Sequence, residues 1–275
     1  MIPVRFNLTG GLSRSFGIST LAGGLASIKL ALPVAHIEAG VRTGNFESPE
    51  EINRKLCDHI ATINFSATKL SYQNLKNEGI SDVRNCFCGD VMYDMVLNTK
   101  LIKPQIKLPD KYILATIHRQ ENTDNKEVLK NIFINLINLS KTINIIFPMH
   151  PRTKQRLKEI NLYDIVCKSL NVIEPQSYNN LLNLIKYSEM VVSDSGGVPK
   201  EAAFLKTPSI FIGEQIVWTE LLEQNWSYLI TPEKINKLIT VYNKFKNTKN
   251  RKSLFGFGDG NAANKIAETM NRIIL

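Results

Sequence analysis

Short apolar runs alternate with longer amphipathic segments along most of this 275-residue chain. The apolar runs predict strands at 33–37, 62–66, 83–87, 111–117, 143–148, 171–174, 189–193, 208–212 and 227–230. A helical spacing of apolar residues between them predicts helices at 20–31, 50–61, 68–78, 91–99, 125–140, 152–160, 178–187, 198–205, 216–225, 231–246 and 260–274. This alternation is typical of βαβ units, so we expect an α/β protein with parallel sheets.

The segment 100–110 separates two such arrays. Its two prolines and its lack of hydrophobic periodicity are typical of a linker. We therefore expect two domains of the same general kind, one on each side of this segment.

Composition narrows the class of protein. Hydrophobic residues make up 43% of the chain and charged residues 21%, which is typical of a globular protein and excludes disordered and collagen-like chains. The net charge of +9 has one concentrated source, the stretch 231–253, where seven basic residues accompany a single acid, Glu233. We interpret this stretch as a solvated helix face. Because no aromatic platform or nucleic-acid motif accompanies it, we predict no nucleic-acid partner.

The cysteines and the N-terminal residues indicate the compartment. Four cysteines, spread along the chain, are too few for a disulfide framework and predict reduced thiols. Residues 1–19 lack the apolar run of a signal peptide, and no run of about 18 apolar residues could span a bilayer. We therefore expect a cytoplasmic protein with no membrane partner.

Polar clusters follow four of the predicted strands, where open α/β sheets bind their ligands. They are Glu38-Ala39-Gly40, His118-Arg119-Gln120-Glu121-Asn122, His150-Pro151-Arg152-Thr153 and Asp194-Ser195-Gly196-Gly197. Each alone has a structural explanation, such as a helix cap by Asp194 or Ser195. Four at equivalent places indicate a ligand-binding cleft.

The cluster with two glycines favours a diphosphate. Ser195, Gly196 and Gly197 lie between a buried strand and a predicted helix, so their amides and the helix N-terminus suit an anion. The alternative is a tight turn that requires glycine. Glu201, one turn later, could bind a ribose diol through its carboxylate. The Rossmann glycine fingerprint is absent, which disfavours a nicotinamide cofactor.

Histidines and arginines supply proton carriers and fixed cations. His118 with Arg119, and His150 with Arg152, suit a departing diphosphate whose charge must be neutralised, and Arg54 lies on the predicted helix that begins near Pro49. Histidine also suits acid–base work near neutrality.

Three glutamates supply carboxylates. Glu50 and Glu51 fall in the first turn of a helix that starts with Pro49, where complementing the helix dipole is the plain explanation. Glu38 directly follows an apolar strand and has no such explanation. We interpret Glu38 as either a buried paired acid or a catalytic acid, and we favour the catalytic role.

Taken in order, these clusters resemble the non-hydrolysing UDP-N-acetylglucosamine 2-epimerase family. The matching stretches are STLAGGLASIKLALPVAHIEAGVRTG (19–44), PEEINRKLCDHIAT (49–62), FSATKLSYQNL (65–75), ATIHRQEN (115–122), HPRT (150–153), IEP (173–175), VVSDSGGVPKEAAFLKTP (191–208) and FGDGNAANKI (257–266). They are distributed over nearly all of 18–275. The combination of HIEAG, PEE, HRxEN and DSGG at these separations is specific to this family.

The resemblance implies a GT-B-like pair of Rossmann-type domains that close on a UDP-sugar: a partial domain over 1–99, a UDP-binding domain over 100–255, and a helix over 256–275 that crosses back to the first domain. It also implies conversion of UDP-GlcNAc to UDP-ManNAc, a precursor for surface polysaccharide or other glycans. The reaction runs by anti elimination of UDP to a 2-acetamidoglucal and syn re-addition, without metal or nicotinamide. A homodimer is usual in the family.

The resemblance also implies roles for individual residues. Glu38 and Glu50 become the acid–base carboxylates around C2, and His118 serves the departing diphosphate. The residues assigned to UDP or substrate are Arg54, Arg119, His150, Arg152, Ser195, Gly196, Gly197 and, for the ribose, Glu201, with Arg152 the weakest of them.

The sequence departs from the family pattern in two regions. The family's first strand, its Gly-Thr-Arg-Pro-Glu loop and two further βα units are absent, and Ser15, Phe16 and Gly17 stand at its Gly-Asp-Thr motif. We accordingly expect a truncated first domain, with residues 1–17 atypical. The stretch 213–220 (GEQIVWTE) replaces a polar family motif and looks like relatives that epimerise other UDP-sugars.

Three alternatives therefore stay open: an epimerase of a related UDP-sugar such as a UDP-diacetamido-uronic acid, a catalytically inactive UDP-binding module, and a GT-B glycosyltransferase. The glycosyltransferase is disfavoured, because simple glycosyl transfer needs no carboxylates arranged as in HIEAG and PEE.

Overall fold

The computed structural model describes residues 18–102, 108–248 and 251–274. Its strands are β1 (Ala35–Ala39), β2 (Ile63–Ser66), β3 (Asn85–Phe87), β4 (Tyr112–Thr116), β5 (Asn144–Pro148), β6 (Asn171–Ile173), β7 (Met190–Ser193), β8 (Ser209–Ile212) and β9 (Ser227–Ile230). Its α-helices are α1 (Ile18–Lys29), α2 (Pro49–Ile60), α3 (Lys69–Asn77), α4 (Val91–Asn98), α5 (Gln120–Thr123), α6 (Lys126–Ser140), α7 (Pro151–Glu159), α8 (Tyr163–Ser169), α9 (Tyr178–Tyr187), α10 (Val198–Phe204), α11 (Thr219–Glu223), α12 (Leu238–Lys246) and α13 (Ala262–Ile274). Short 3-10 helices cover Asp82–Arg84 and Pro232–Lys237.

These elements form two compact units. Unit 1 is the described part of Met1–Asn98 together with that of Phe255–Leu275, and unit 2 is the described part of Thr99–Leu254. Each unit contains one parallel sheet, which confirms the predicted α/β class.

Unit 1 contains a three-stranded sheet in the order β1-β2-β3. Helix α13 covers one face of this sheet, where Ala262 and Ile266 pack with Phe65 and Cys88. The buried carboxylate of Asp94 caps this helix, because its two oxygens accept the N–H groups of Ala262 (3.0 Å) and Ala263 (2.7 Å). The helix near the end of the chain is therefore an integral part of unit 1.

Unit 2 contains a six-stranded sheet in the order β6-β5-β4-β7-β8-β9. Helices bury both faces, so the strands are almost continuously apolar, and all five residues of β4 are buried. After β4 the chain adds β5 and β6 on one side of the sheet, and then it adds β7, β8 and β9 on the other side of β4. A topological switch point therefore lies between β4 and β7. In doubly wound sheets, ligands bind beside the carboxyl ends of the strands at such a switch point. The loops after β4 and β7 are therefore the first place to look for a site.

The structure confirms all nine predicted strands to within two residues at each end and corrects several boundaries. The strand expected from 83 begins at Asn85, because Asp82–Arg84 form a 3-10 turn. The helix expected over 231–246 is divided into a 3-10 segment that starts at Pro232 and helix α12. The seven-residue helix α8 was not predicted, since it is too short to show a helical period. Phe16 and the rest of 1–17 lie outside the described residues.

No helix in the described ranges has both the length and the apolar character needed to cross a bilayer.

Candidate functional site

Glu38 lies in a strained stretch of β1. We expected it to follow the strand, but it lies inside Ala35–Ala39, where the register with β2 shifts between Ile37 and Ala39. Its φ is +67°, a left-handed conformation that costs a non-glycine residue on the order of 1–3 kcal/mol. Such β-bulges frequently re-aim a side chain next to an active site. The local backbone therefore supports a functional role for Glu38.

Glu51 performs a different task from the one its sequence position suggests. Its carboxylate is buried and accepts hydrogen bonds from the N–H groups of Thr43 (3.0 Å) and Gly44 (3.2 Å), from the Thr43 hydroxyl (3.1 Å) and from Arg54 Nη1 (3.0 Å). Burial alone would raise the pKa of Glu51, but the hydrogen bonds lower it by more, so the pKa lies below its ordinary value. Glu51 is thus an ionised structural anchor for the loop after β1.

Glu50 and Arg54 lie on the same helix, α2. Glu50 is half-buried and accepts a hydrogen bond from the Ser48 hydroxyl at 2.8 Å. Burial lowers the pKa of Arg54, while attraction from the carboxylates of Glu51, Glu50 and Glu38 partly offsets that fall. The structure therefore brings Arg54 together with both glutamates that the sequence marked as catalytic candidates.

Sequence reasoning missed Asp58, a fully buried acid on α2. It contacts His36 and Arg42, each at 2.7 Å, on the two sides of Glu38. Glu51, Arg54 and Asp58 form a charged stripe at helical spacing on the buried face of α2, whereas Ile52 and Leu56 on the same helix are exposed. Charged residues where an apolar stripe is normal were the signal available in the sequence.

His118 and Asp194 follow the two strands of unit 2 that flank the switch point. Thr116 and Ser193 end these strands in register, with their hydroxyl oxygens 2.7 Å apart. The Asp194 carboxylate accepts the N–H groups of His118 (3.0 Å) and Arg119 (2.9 Å) and the Asn122 side-chain amide (3.2 Å). Asp194 therefore fixes the loop after β4, a role that we had not assigned to it.

The Asp194 carboxylate also faces the His118 ring, with Oδ1 3.5 Å from Nδ1. Burial raises the pKa of Asp194, and its interaction with His118 and the backbone donors opposes that rise. A carboxylate at Nδ1 orients the imidazole ring. His118 is thus suited to interact with an anionic ligand through its other nitrogen, Nε2.

His150 and Arg152 lie at the start of α7, beside this pair. His150 Nδ1 accepts the N–H of Arg152 at 3.1 Å, which places the ring proton of neutral His150 on Nε2. The rings of His118 and His150 are 5.7 Å apart. Asp124 binds the Arg152 guanidinium at 2.7 and 2.8 Å. The structure therefore brings both histidines together, while the charge of Arg152 already has a carboxylate partner.

Gly196 and Gly197 have no conformational need to be glycine. Neither has a positive φ, and a Cβ built on either meets no atom within 4 Å. In the described part of the chain, their amides donate no hydrogen bond. The tight-turn explanation thus fails, and close approach of a ligand to bare backbone explains the two residues better. Ser195 and Glu201, which flank them, are buried.

Within the described ranges, no group of three or more His, Cys, Asp or Glu side chains could hold a metal ion.

Comparisons with known proteins agree with this description. A family model described as UDP-N-acetylglucosamine 2-epimerase matches residues 17–271. A Methanococcus maripaludis protein named UDP-N-acetylglucosamine 2-epimerase homolog is 42% identical over 269 residues, which cover 93% of this chain and 73% of that protein. A Pseudomonas aeruginosa protein named UDP-2,3-diacetamido-2,3-dideoxy-D-glucuronate 2-epimerase is 35% identical, covering 93% of this chain and 72% of its own.

A solved structure is similar as well. The crystal structure of Methanocaldococcus jannaschii UDP-GlcNAc 2-epimerase in complex with UDP-GlcNAc and UDP matches with a TM-score of 0.83 and 38% identity. The match covers 92% of this chain and 72% of that chain. The similarity therefore extends over nearly all of the present sequence.

Proposed function

The chain belongs to the UDP-N-acetylglucosamine 2-epimerase family, as its motifs indicated, and on this premise we propose that it interconverts UDP-GlcNAc and UDP-ManNAc. The change inverts the configuration at C2 of the sugar. It is an isomerisation, so substrate and product contain the same atoms and no electron acceptor is required.

The observation that carries the proposal is the pair Gly196 and Gly197. Two adjacent glycines that neither the turn nor the packing requires suit the close approach of a diphosphate to backbone amides. They follow β7 at the switch point of the sheet, where a nucleotide is expected. We assign the diphosphate to Ser195, Gly196 and Gly197, and the ribose to Glu201.

The first chemical step is an elimination. A carboxylate removes the proton from C2, the C2–H electron pair becomes the C1=C2 double bond, and the C1–O bond breaks so that UDP leaves with its electrons. The product is a 2-acetamidoglucal. Re-addition reverses these changes: a UDP oxygen bonds to C1 while C2 receives a proton on the opposite face.

Glu38 and Glu50 are assigned to the two proton transfers. Inversion at C2 requires groups that remove and return a proton on different faces, and two carboxylates meet that need. Both glutamates are partly exposed, and both act electrostatically on Arg54. Arg54 is thus a cation that interacts with both carboxylates assigned to C2.

The basic residues of unit 2 are assigned to the departing diphosphate. His118, held by Asp194 at 3.5 Å, supplies positive charge or a proton as the C1–O bond breaks. Arg119 follows it, and its backbone N–H is fixed by the same carboxylate. His150 and Arg152 are assigned to the same anion with weaker support, because Asp124 already binds the Arg152 guanidinium.

The test uses the full chain in D2O with UDP-GlcNAc, followed by NMR. We expect UDP-ManNAc to form and deuterium to enter C2 of both sugars, because the proton returned at C2 comes from a group that exchanges with solvent. Absence of both would overturn the proposal. UDP binding by calorimetry without turnover would support the inactive UDP-binding module instead.

One observation favours a second substrate, a UDP-sugar that carries a carboxylate. The Pseudomonas aeruginosa relative, which is 35% identical to this chain, is named for a diacetamido-glucuronate, a sugar that carries a carboxylate. Comparing kcat/KM for the two UDP-sugars decides between them, and a higher value for UDP-GlcNAc excludes this alternative.

A further inference from the structure

We infer that Asp58 is a positioning residue that holds Glu38 in the backbone conformation needed for proton transfer at C2. The inference rests on the proposed function, since it gives a partner to the carboxylate assigned there. Asp58 acts through the backbone around Glu38, because its carboxylate contacts residues that lie before and after Glu38 in the chain.

Asp58 contacts three residues that surround Glu38 in sequence. Its Oδ1 is 2.7 Å from His36 Nδ1, two residues before Glu38. Its Oδ2 accepts the N–H of Gly40 at 3.1 Å and lies 2.7 Å from Arg42 Nη2, two and four residues after Glu38. One fully buried carboxylate therefore holds the chain in place on both sides of the bulge, through hydrogen bonds and an ion pair.

The conformation that it fastens is unfavourable by itself. Glu38 has a φ of +67° and Gly40 a φ of +79°, so Glu38 carries a cost of on the order of 1–3 kcal/mol that the surroundings must offset. On the other side of Gly40, its carbonyl accepts the Asn74 amide at 3.0 Å. A Cβ at residue 40 would collide with the backbone of Ser71, so α3 also limits where this loop can lie.

A carboxylate is needed here, because all three partners can present an N–H to its two oxygens. An amide in its place would keep one accepting oxygen and turn an NH2 group toward a donor. Arg42 is additionally held by Glu78, with hydrogen bonds of 2.8 and 2.6 Å, so it cannot readily turn away. The variant Asp58→Asn therefore loses at least one of the contacts with His36, Gly40 and Arg42 while keeping nearly the same side-chain volume.

The test is a double-mutant cycle on deuterium uptake at C2 of UDP-GlcNAc, using Asp58→Asn, Glu38→Gln and the double variant. Misplacing the acid by about 1 Å predicts a fall in kcat on the order of 100-fold for Asp58→Asn, with the Kd for UDP unchanged. Because Asp58 acts through Glu38, the double variant should be no slower than Glu38→Gln alone. A further loss in the double variant would overturn the inference.

The matched control is Asp94→Asn. Asp94 is also a buried acid of unit 1 that accepts two backbone N–H groups, but it caps α13. We expect this control to lower the melting temperature and to leave C2 exchange unchanged. Equal loss of exchange in both variants would mean a general effect on unit 1 and would overturn the positioning role.

A milder variant keeps the test decisive if Asp58→Asn does not fold. His36→Phe removes one contact and preserves the ion pair of Asp58 with Arg42, while His36→Asn keeps a donor near the position of Nδ1. We expect His36→Phe to reduce kcat and His36→Asn to restore part of it. Equal activities in the two variants would count against the inference.

Crystal structures separate this inference from the proposed function. If the unmodified chain shows no C2 exchange, the proposed function fails, and the φ of Glu38 in Asp58→Asn or His36→Phe decides the positioning role by itself. We expect φ to leave the left-handed region in the variant. A φ that stays near +67° would overturn the inference whatever the activity.

Discussion

His118 Nδ1 lies 3.5 Å from Asp194 Oδ1. His118 follows β4 and Asp194 follows β7, the two neighbouring strands between which the switch point of the unit 2 sheet lies. The same carboxylate accepts the backbone N–H of His118, so it fixes both the main chain and the ring of this residue. The position of the imidazole therefore depends on one buried acid.

The variant Asp194→Asn should lower kcat by on the order of 10²-fold, because the amide keeps only one of the two oxygens that accept the N–H groups of His118 and Arg119, so the imidazole is misplaced. Deuterium uptake at C2 measures the loss. The control is Asp124→Asn, an exposed acid that binds Arg152 and Arg156. Similar kcat values for the two variants would contradict the role given to Asp194.

Glycine substitutions separate binding from folding. Gly197→Ala fits the backbone, with φ −92° and open space at Cβ, yet it should weaken UDP binding by about 10- to 100-fold, because the added Cβ keeps the diphosphate away from the backbone amides. Calorimetry with UDP measures this loss, and a thermal melt should stay unchanged.

Gly40→Ala is the opposite case. Its positive φ and the collision with Ser71 should destabilise the fold by at least about 1–2 kcal/mol. The affinity of the folded protein for UDP should not change. If Gly197→Ala kept full UDP affinity, the assignment of the diphosphate to these glycines would be wrong.

Glu38→Gln should slow deuterium uptake at C2 by on the order of 10²- to 10⁴-fold, to a rate that is still measurable, while the Kd for UDP stays within a factor of about two, since the diphosphate and the ribose are assigned to unit 2. Glutamine has almost the same volume but cannot take up a proton. Glu47→Gln, an exposed glutamate near the start of α2, is the matched control and should retain full exchange. Exchange in Glu38→Gln at the rate of the unmodified chain would show that Glu38 takes no part in the proton transfer.

Acid should destabilise the protein through Glu51. Its pKa is below its ordinary value of 4.5 in the folded state, so its contribution to the free energy of unfolding is fully present above pH 4.5. This contribution is lost as the pH falls from there through the folded pKa, because the unfolded chain takes up its proton first.

The free energy of unfolding of the variant Glu51→Gln should be about 3 kcal/mol lower at pH 7, since the substitution removes one partner of the buried ion pair between Glu51 and Arg54. The difference from the unmodified chain should shrink at pH 3, which denaturant melts at both pH values can measure. Glu268→Gln, at an exposed position on α13, should show no such pH-dependent difference. A constant difference for Glu51→Gln would show that its charge does not stabilise the loop.

The hydrophobic pattern was sufficient to predict the sheets, since the strands β4, β5, β7 and β8 each carry a run of buried apolar residues. It could not predict the bulge at Glu38, because a left-handed residue inside a strand depends on contacts with α2 and α3 that are distant in sequence. Asp58 and Asp194 were likewise missed as anchors, since an acid on a helix or after a strand looks the same whether it faces solvent or three N–H groups.

Motifs predicted where the candidate site residues lie better than they predicted the contacts of these residues. The clusters after β4, β5 and β7 lie at neighbouring strand ends, as expected from a parallel sheet. That Asp124 binds Arg152, and that Glu51 is buried while Glu50 is partly exposed, depends on side-chain packing, which periodicity does not report.

The packing of α13 on β2 and β3 has a consequence for how the protein is made. The strands of unit 1 lie before residue 88, but the residues that cover their sheet, Ala262 and Ile266, come much later in the sequence. The Asp94 carboxylate likewise accepts an N–H group that belongs to α13. Unit 2 lies wholly between these parts, so during translation its residues are complete first. Until Ala262 and the residues after it have been added, the nascent chain therefore carries an apolar sheet face that α13 does not yet cover, and a ribosome stalled at this stage would present that surface to chaperones and proteases.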